Sequence, residues 1–155
     1  NLVLTSKSTD FDIADVGEME IDSRRDKFRI QQLGKIVARS SFTSFRIAEV
    51  SNYTNIRTEY GDVDIQRVAP DFRAIYLESK STDINLGFSE TSGFGFEITG
   101  TKTPIRLAPA MEIRKTETLD EKEKKIKTTG IAGKSGKTQK LSINAVSGTI
   151  NLNGY

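Results

Sequence analysis

Acidic residues recur at similar places along the chain, and they are the first side chains that could do chemistry. Asp10, Asp62 and Asp83 each lie in a short polar segment rich in Ser, Thr or Gly. Asp12 and Asp64 lie two residues further on and are expected to face outward. Stacked outward carboxylates suit calcium binding or polysaccharide cleavage. The same positions suit turns and charge pairing between neighbouring strands, so both interpretations stay open.

Aromatic residues form a second set of candidates, because their rings can stack against sugars. Tyr60 shares its position in the repeat described below with Phe42 and Ser8, so partial burial of Tyr60 is equally consistent with the sequence. The candidates for a ligand-binding surface are Tyr53, Tyr60, Phe72, Tyr76, Asp62 and Asp64.

The segment GIAGKSGKT, residues 130–138, is similar to a phosphate-binding loop. That motif requires glycine at position 131, where the chain has Ile131, and a helix after the loop. Leu141 and Ile143 begin an alternating, strand-like pattern instead. We therefore interpret the segment as a glycine-rich return loop.

Composition excludes several kinds of site. The 155 residues include no His and no Cys, which rules out imidazole chemistry, thiol nucleophiles and zinc-finger sites. The 23 basic and 21 acidic residues are well mixed and give a net charge of +2, so no nucleic-acid partner is indicated. No apolar run approaches the roughly 18 residues of a membrane span. We expect no metal, no cofactor and no catalytic site.

The candidate residues are positioned by a repeat of 17–21 residues. Each unit reads apolar-x-apolar-x-small, then a polar bend, then apolar-x-apolar. A residue between the last two apolar positions is polar in every unit, which is the alternation of a strand with one wet face. The units start at Leu2, Met19, Ile36, Thr54, Ile75, Phe96 and Leu141.

Such a unit cannot bury its apolar face alone, so like units must stack. The repeat predicts an all-β, single-stranded β-solenoid (β-helix) of about seven coils, forming a single domain over residues 1–155. Phe11, Phe28 and Phe45 are expected to stack as one ladder. The small residue of each unit, such as Ser23, is expected to face inward.

The final two units are separated by a charged insertion, residues 108–140. Its two alternating pieces, MEIRKT and KKIKTT, indicate a projecting hairpin, with a disordered loop as the alternative. The apolar ladder runs from Leu2 to Leu152 without a polar cap. Open end coils would expose strand edges, which predicts self-association through the end coils.

The repeated motif resembles the bacterial "putative adhesin" domains of unknown function, the head-domain-like β-solenoids of Bacteroidetes-type envelope proteins. The matching segments are SKSTDFDI, RSSFTSFRI, TEYGDVDI, ESKSTDINLGF and VSGTINL. The resemblance covers the chain outside residues 108–140. It implies an extracytoplasmic location, in the periplasm or on the cell surface, and it transfers no catalytic residue.

Two functions follow as expectations. The first is a non-enzymatic envelope or surface module, either an adhesin-like domain that binds a glycan or protein ligand, or a structural spacer. The alternative is a carbohydrate-active β-helix enzyme, a polysaccharide lyase or hydrolase, in which Asp62 or Asp64 would be essential.

Overall fold

The computed structural model describes residues 1–133 and 138–155, and every regular element within those ranges is a strand. The all-β solenoid prediction is confirmed. The central part of the glycine-rich segment 130–138 lies outside the described residues, so the return-loop interpretation stays a prediction. The strands are β1 (Leu2–Lys7), β2 (Asp10–Arg24), β3 (Lys27–Ser41), β4 (Ser44–Val68), β5 (Ala74–Phe88), β6 (Phe94–Thr101), β7 (Ile105–Arg106), β8 (Met111–Asp120), β9 (Lys125–Ala132) and β10 (Lys140–Gly154).

Parallel pairing joins the repeat units in the register that their apolar positions predict. Leu2 lies opposite Met19, and Met19 lies opposite Ile36. Thr54 follows in the same row, between Ile36 and Ile75. Each unit is one coil, with a first side before the polar bend and a second side after it. The long strands β2, β3 and β4 run from the second side of one coil into the first side of the next.

Stacked phenylalanine rings form the predicted ladder on the second side. The ring centroids of Phe11 and Phe28 are 4.8 Å apart, and those of Phe28 and Phe45 are 5.2 Å apart. The ring planes differ by only 4° and 8°. Phe28 and Phe45 are buried, whereas Phe11 is partly exposed because no coil covers it. The register of the strands therefore fixes the packing of the core.

The seventh coil does not lie at an end of the stack. Strand β10 pairs in parallel with β5 on one side and with β6 and β7 on the other. The expectation that Leu152 marks an open end is therefore wrong, because Leu152 is 1% exposed between the fifth and sixth coils. Because β10 has a paired strand on each side, Leu141 and Ile143 are buried as well.

The charged insertion forms the predicted hairpin, but it extends the sheet. Strand β9 pairs antiparallel with β6, and β8 pairs antiparallel with β9. Two register shifts interrupt the β8–β9 pairing, between Ile113 and Lys115 and between Thr118 and Asp120. Because the hairpin pairs with the first side of the sixth coil, it covers the edge that this coil would otherwise leave open.

A buried carboxylate connects the first three coils inside the bend. Asp26 is 1% exposed and accepts hydrogen bonds from Ser23 Oγ at 2.5 Å and from the Thr9 backbone N–H at 2.7 Å. Ser6 Oγ also donates to Asp26, at 3.3 Å. Ser23 Oγ in turn lies 3.0 Å from Thr43 Oγ1. The small column faces inward as predicted, and its hydroxyls satisfy this carboxylate.

Candidate binding surface

The corner residue of every coil adopts a left-handed backbone conformation, with φ between 48° and 60°. None of these residues is glycine, although a side chain costs about 1–2 kcal/mol in this conformation. The surrounding coil therefore holds these residues in a strained conformation, and each corner side chain leaves the backbone in a fixed direction. The corner residues are Ser8, Arg25, Phe42, Tyr60, Ser81, Lys102 and Ser147.

Threonine hydroxyls hold several of these corners in place. Thr43 Oγ1 donates to the Ser41 carbonyl at 3.0 Å, which brackets the corner residue Phe42. Thr82 Oγ1 donates in the same way to the Lys80 carbonyl at 2.9 Å. This side-chain bond two residues back along the chain competes with regular strand pairing and favours a bend. The Ser/Thr enrichment in the sequence at these bends has this physical cause.

Two neighbouring corners carry aromatic rings that are stacked and exposed. The centroids of Phe42 and Tyr60 are 5.1 Å apart, and their planes differ by 15°. Phe42 is 50% exposed and Tyr60 is 42% exposed. Arg25 Cζ lies 5.8 Å from the Phe42 centroid, and Lys80 Nζ lies 5.8 Å from the Tyr60 centroid. We call these four residues the aromatic corner.

The two cations of the aromatic corner form no salt bridge with any residue that the structure describes. Within residues 1–133 and 138–155, neither Arg25 nor Lys80 lies in an ion pair. Elsewhere on the surface, Arg57 Nε binds Glu78 Oε2 at 3.0 Å. The guanidinium and ammonium groups of the aromatic corner therefore remain available to an anionic group of a ligand, beside two half-exposed rings.

A second aromatic pair, half-buried Tyr53 and exposed Tyr76, lies on the outer face of the first side. The centroids of Tyr53 and Tyr76 are 6.0 Å apart, with planes tilted by 57°. Two cations approach the Tyr53 ring: Lys35 Nζ at 5.6 Å and Arg73 Cζ at 5.1 Å. Tyr76 is 37% exposed. Both aromatic pairs thus combine accessible rings with cations.

A groove borders this tyrosine pair. It has a volume of about 530 Å³ and runs over the first sides of coils one to four. Charged residues of both signs line it, together with the exposed side chains of Val3 and Val37. Asn55 connects the groove to the tyrosine pair, because its amide donates to Tyr53 Oη at 3.4 Å. The charged lining residues are Glu20, Asp22, Arg39 and Arg57.

The candidate acids Asp62 and Asp64 do not line this groove. Both are half-buried, and Asp62 Oδ2 accepts a hydrogen bond from Ser44 Oγ at 2.9 Å. The outward residue Asp12 binds Arg29 Nε at 2.7 Å, and this hydrogen bond holds the pKa of Asp12 below its usual range. Charge pairing between rungs, one of the two interpretations from the sequence, thus occurs at Asp12. Among the described residues, no three acidic side chains cluster in a way that could hold a metal ion.

The aromatic candidates from the sequence differ in how exposed they are. Phe72 is completely buried, so the prediction that it belongs to a ligand surface is wrong. Its ring packs 5.8 Å from Phe88 and 5.4 Å from Phe94, because the longer loop of the fourth coil folds inward. Sequence reasoning missed Phe42 as a candidate. Its place in the same repeat column as Tyr60 was the available signal, since stacked coils bring such residues together.

A comparison with solved structures finds a distant structural neighbour. No protein-family model matches the chain, and no curated protein is similar to it in sequence. A crystal structure of a "putative cell adhesion protein" from Clostridium sporogenes superposes with a TM-score of 0.44 at 13% identity. The match covers 89% of this chain and 56% of that chain, so this chain spans little more than half of its length. Within the described residues, none of the elements is a helix that could cross a membrane.

Proposed function

We propose that this protein is a non-enzymatic binding module of the cell envelope, adhesin-like in role, and that its ligand contacts the aromatic corner. The observation that supports this proposal is the exposed Phe42–Tyr60 stack between two cations that have no ion-pair partner in the described part of the chain. A structural spacer has no use for an exposed aromatic stack, which costs solubility.

The chemistry of the aromatic corner favours an anionic glycan as ligand. Ring edges and faces offer apolar contact to the C–H groups of a sugar, while Arg25 and Lys80 attract carboxylate or sulfate groups. The rings are also held against each other on rigid corners, so little side-chain entropy is lost when a ligand binds. Tyr53 and Tyr76 add a second aromatic pair on the first sides of the fourth and fifth coils.

An array of glycans and matrix proteins tests this proposal. The variant Phe42→Asn/Tyr60→Asn removes both rings but keeps residues that tolerate the left-handed conformation. We expect the wild type to bind at least one acidic glycan, and the double variant to lose that binding. Ser147→Asn is the matched control, because Ser147 occupies the same corner on another coil.

Negative results on every surface would favour a spacer, whereas binding that survives the double variant would place the ligand elsewhere. The enzymatic alternative makes a different prediction. Turnover of an acidic polysaccharide, abolished by Asp62→Asn or Asp64→Asn, would replace binding by catalysis as the function. The extracytoplasmic location, which the sequence resemblance implies, is part of the proposal and is tested by fractionation of cells that express the full gene product.

A further inference from the structure

The tyrosine pair and the aromatic corner lie along one outward face of β4 and β5. Tyr76 and Lys80 are four residues apart on β5, and both are exposed, whereas Ile75 and Leu77 between and beside them are buried. At about 3.3 Å per residue, Tyr76 and Lys80 are about 13 Å apart along the strand. Lys80 Nζ also lies 5.8 Å from the Tyr60 centroid, so Lys80 belongs to this face and to the aromatic corner alike. The two aromatic pairs are therefore close enough for one extended ligand to contact both.

We propose that one linear acidic glycan runs along this face and contacts the tyrosine pair, Tyr53 and Tyr76, and the aromatic corner at the same time. This inference rests on the proposed function, because it takes the aromatic corner as one of the two contact points. It assigns the tyrosine pair as the second contact point of the same ligand. Joining two contacts in one ligand makes the second contact intramolecular, so the affinity exceeds that of either end alone.

Cations lie beside the rings at both ends of this path. At the tyrosine end, Lys35 Nζ is 5.6 Å and Arg73 Cζ is 5.1 Å from the Tyr53 centroid. Neither cation forms a salt bridge with a residue in the described ranges. The aromatic corner has the same arrangement, with Arg25 and Lys80 beside its rings. A polymer that carries carboxylate or sulfate groups at intervals matches two separated cationic ends.

The surface between the two ends is polar, and its central charges cancel. Arg57 and Glu78 lie opposite each other on β4 and β5, and Arg57 Nε binds Glu78 Oε2 at 3.0 Å. Asn55 lies on the tyrosine side of this ion pair, and Glu59 lies opposite Lys80 and offsets part of its charge. These exposed side chains offer hydrogen-bond donors and acceptors to sugar hydroxyls. The positive charge that attracts an acidic chain is thus concentrated at the aromatic ends.

Oligosaccharides of defined length test whether one ligand reaches both ends. Two probe sets are used, one from heparin, which carries sulfate and carboxylate groups, and one from polygalacturonate, which carries carboxylates alone. A disaccharide is too short to contact both ends, whereas an octasaccharide spans them. In calorimetric titration of the whole protein, an octasaccharide should bind about a hundredfold more tightly than the matching disaccharide. The expected stoichiometry is one octasaccharide per protein molecule.

Variants of the tyrosine end show where the length advantage originates. The tyrosine variant, Tyr53→Thr/Tyr76→Thr, removes both rings but keeps residues that favour strands, and it should lose most of the advantage. Arg73→Gln leaves both rings in place and should weaken octasaccharide binding several-fold. Val3→Thr is the matched control, because Val3 is exposed in the same row of residues as Tyr76, four coils away. It should bind as the wild type does.

The corner variant, Phe42→Asn/Tyr60→Asn, separates failure of this inference from failure of the proposed function. If the corner variant loses binding while the tyrosine variant and Arg73→Gln bind the octasaccharide normally, the second contact point is refuted and the proposed function stands. If the corner variant binds both lengths as the wild type does, both fail. Absence of binding to either probe set overturns this inference, and the wider glycan array then decides the proposed function. Displacement of the octasaccharide by poly-glutamate at equal charge concentration would assign the path to an acidic polypeptide instead.

Discussion

The outermost strands at the two ends of the stack differ in charge and in the regularity of their pairing. At one end, β1 contains a single charged residue, Lys7, and pairs regularly with β2 along its whole length. At the other end, β8 contains five charged residues in ten and two register shifts. Charges and bulges are the usual means by which proteins prevent edge strands from pairing with other chains. The comparison shows that β8 carries the charges and pairing irregularities that limit further strand addition, whereas β1 carries few of them.

Truncation of stacked phenylalanines gives the largest expected effect. Phe45 is fully buried, so Phe45→Ala should lower the free energy of unfolding by about 3–5 kcal/mol. Phe11→Ala, at the open end of the same ladder, should cost clearly less, because solvent already reaches its ring. Urea denaturation of both variants measures the difference. Equal losses would mean that the first coil is covered in solution.

The buried carboxylate Asp26 tests what holds the first coil in place. Asp26→Ala removes the acceptor for Ser6, Ser23 and Thr9, and it should cost about 2–3 kcal/mol in unfolding free energy. The exposed Asp10→Ala serves as the control and should lie within about 0.5 kcal/mol of the wild type. Hydrogen exchange should show that Asp26→Ala opens β1 before the rest of the stack. Uniform loss of protection would contradict this local role.

The role of the charges on the outermost strand β8 is tested by removing two of them. Lys115→Val/Glu117→Val deletes an ion pair with Nζ–Oε1 separation of 2.5 Å on β8. We expect little change in stability, since exposed pairs contribute about 0–1 kcal/mol, but association that rises with concentration in sedimentation. Thr116→Val/Thr118→Val, on the other face of the same strand, is the comparison variant. Association of both variants to the same degree would assign the effect to hydrophobicity alone.

The smallest expected effect concerns the residue that follows β10. Tyr155 Oη donates to the Val68 carbonyl at 2.7 Å, and burial, aided by Glu49, raises the pKa of Tyr155 above its ordinary value of 10.0. The folded state therefore binds this proton more tightly than the unfolded state. The resulting stabilisation is complete below pH 10.0 and is lost as the pH rises through the folded pKa.

Comparison with Tyr155→Phe isolates this contribution, because all other titrating groups are shared. The stability advantage of the wild type over Tyr155→Phe should shrink as the pH is raised above 10.0 in urea denaturation. An advantage that does not change with pH would contradict the raised pKa of Tyr155, because ionisation of the hydroxyl would then cost the folded state nothing. This region of the stack should also exchange its amides more slowly than β1.

Much of this fold follows from the sequence, because a solenoid places equivalent residues of successive units against each other. The pairing of Leu2 with Met19, and the stack of Phe11 on Phe28, could be predicted from spacing alone. The position of the seventh coil could not. A spacing of 45 residues between Phe96 and Leu141 shows that something intervenes, but not which edges the returning strand will join.

The candidate surface was predicted less well, for a local reason. The corner column carries Ser, Arg, Phe, Tyr and Lys, and no glycine signals the left-handed bend. Without that bend, the direction of Phe42 and Tyr60 cannot be assigned from alternation, since the corner interrupts the strand period of two. Phe72 was misassigned for the opposite reason: a loop residue outside the repeat has no column to indicate that it is buried.

The insertion of β10 between β5 and β6 has a consequence for synthesis on the ribosome. The segment that forms β6 emerges well before residues 140–154, which supply its parallel neighbour. During that interval β5 and β6 are both unpaired on their facing sides, and direct association of the two would shut out the later strand. The antiparallel pairing of β6, β9 and β8 needs only residues that precede β10. The docking of β6 and β7 onto the fifth coil, however, must wait for the nascent polypeptide to deliver these fifteen residues.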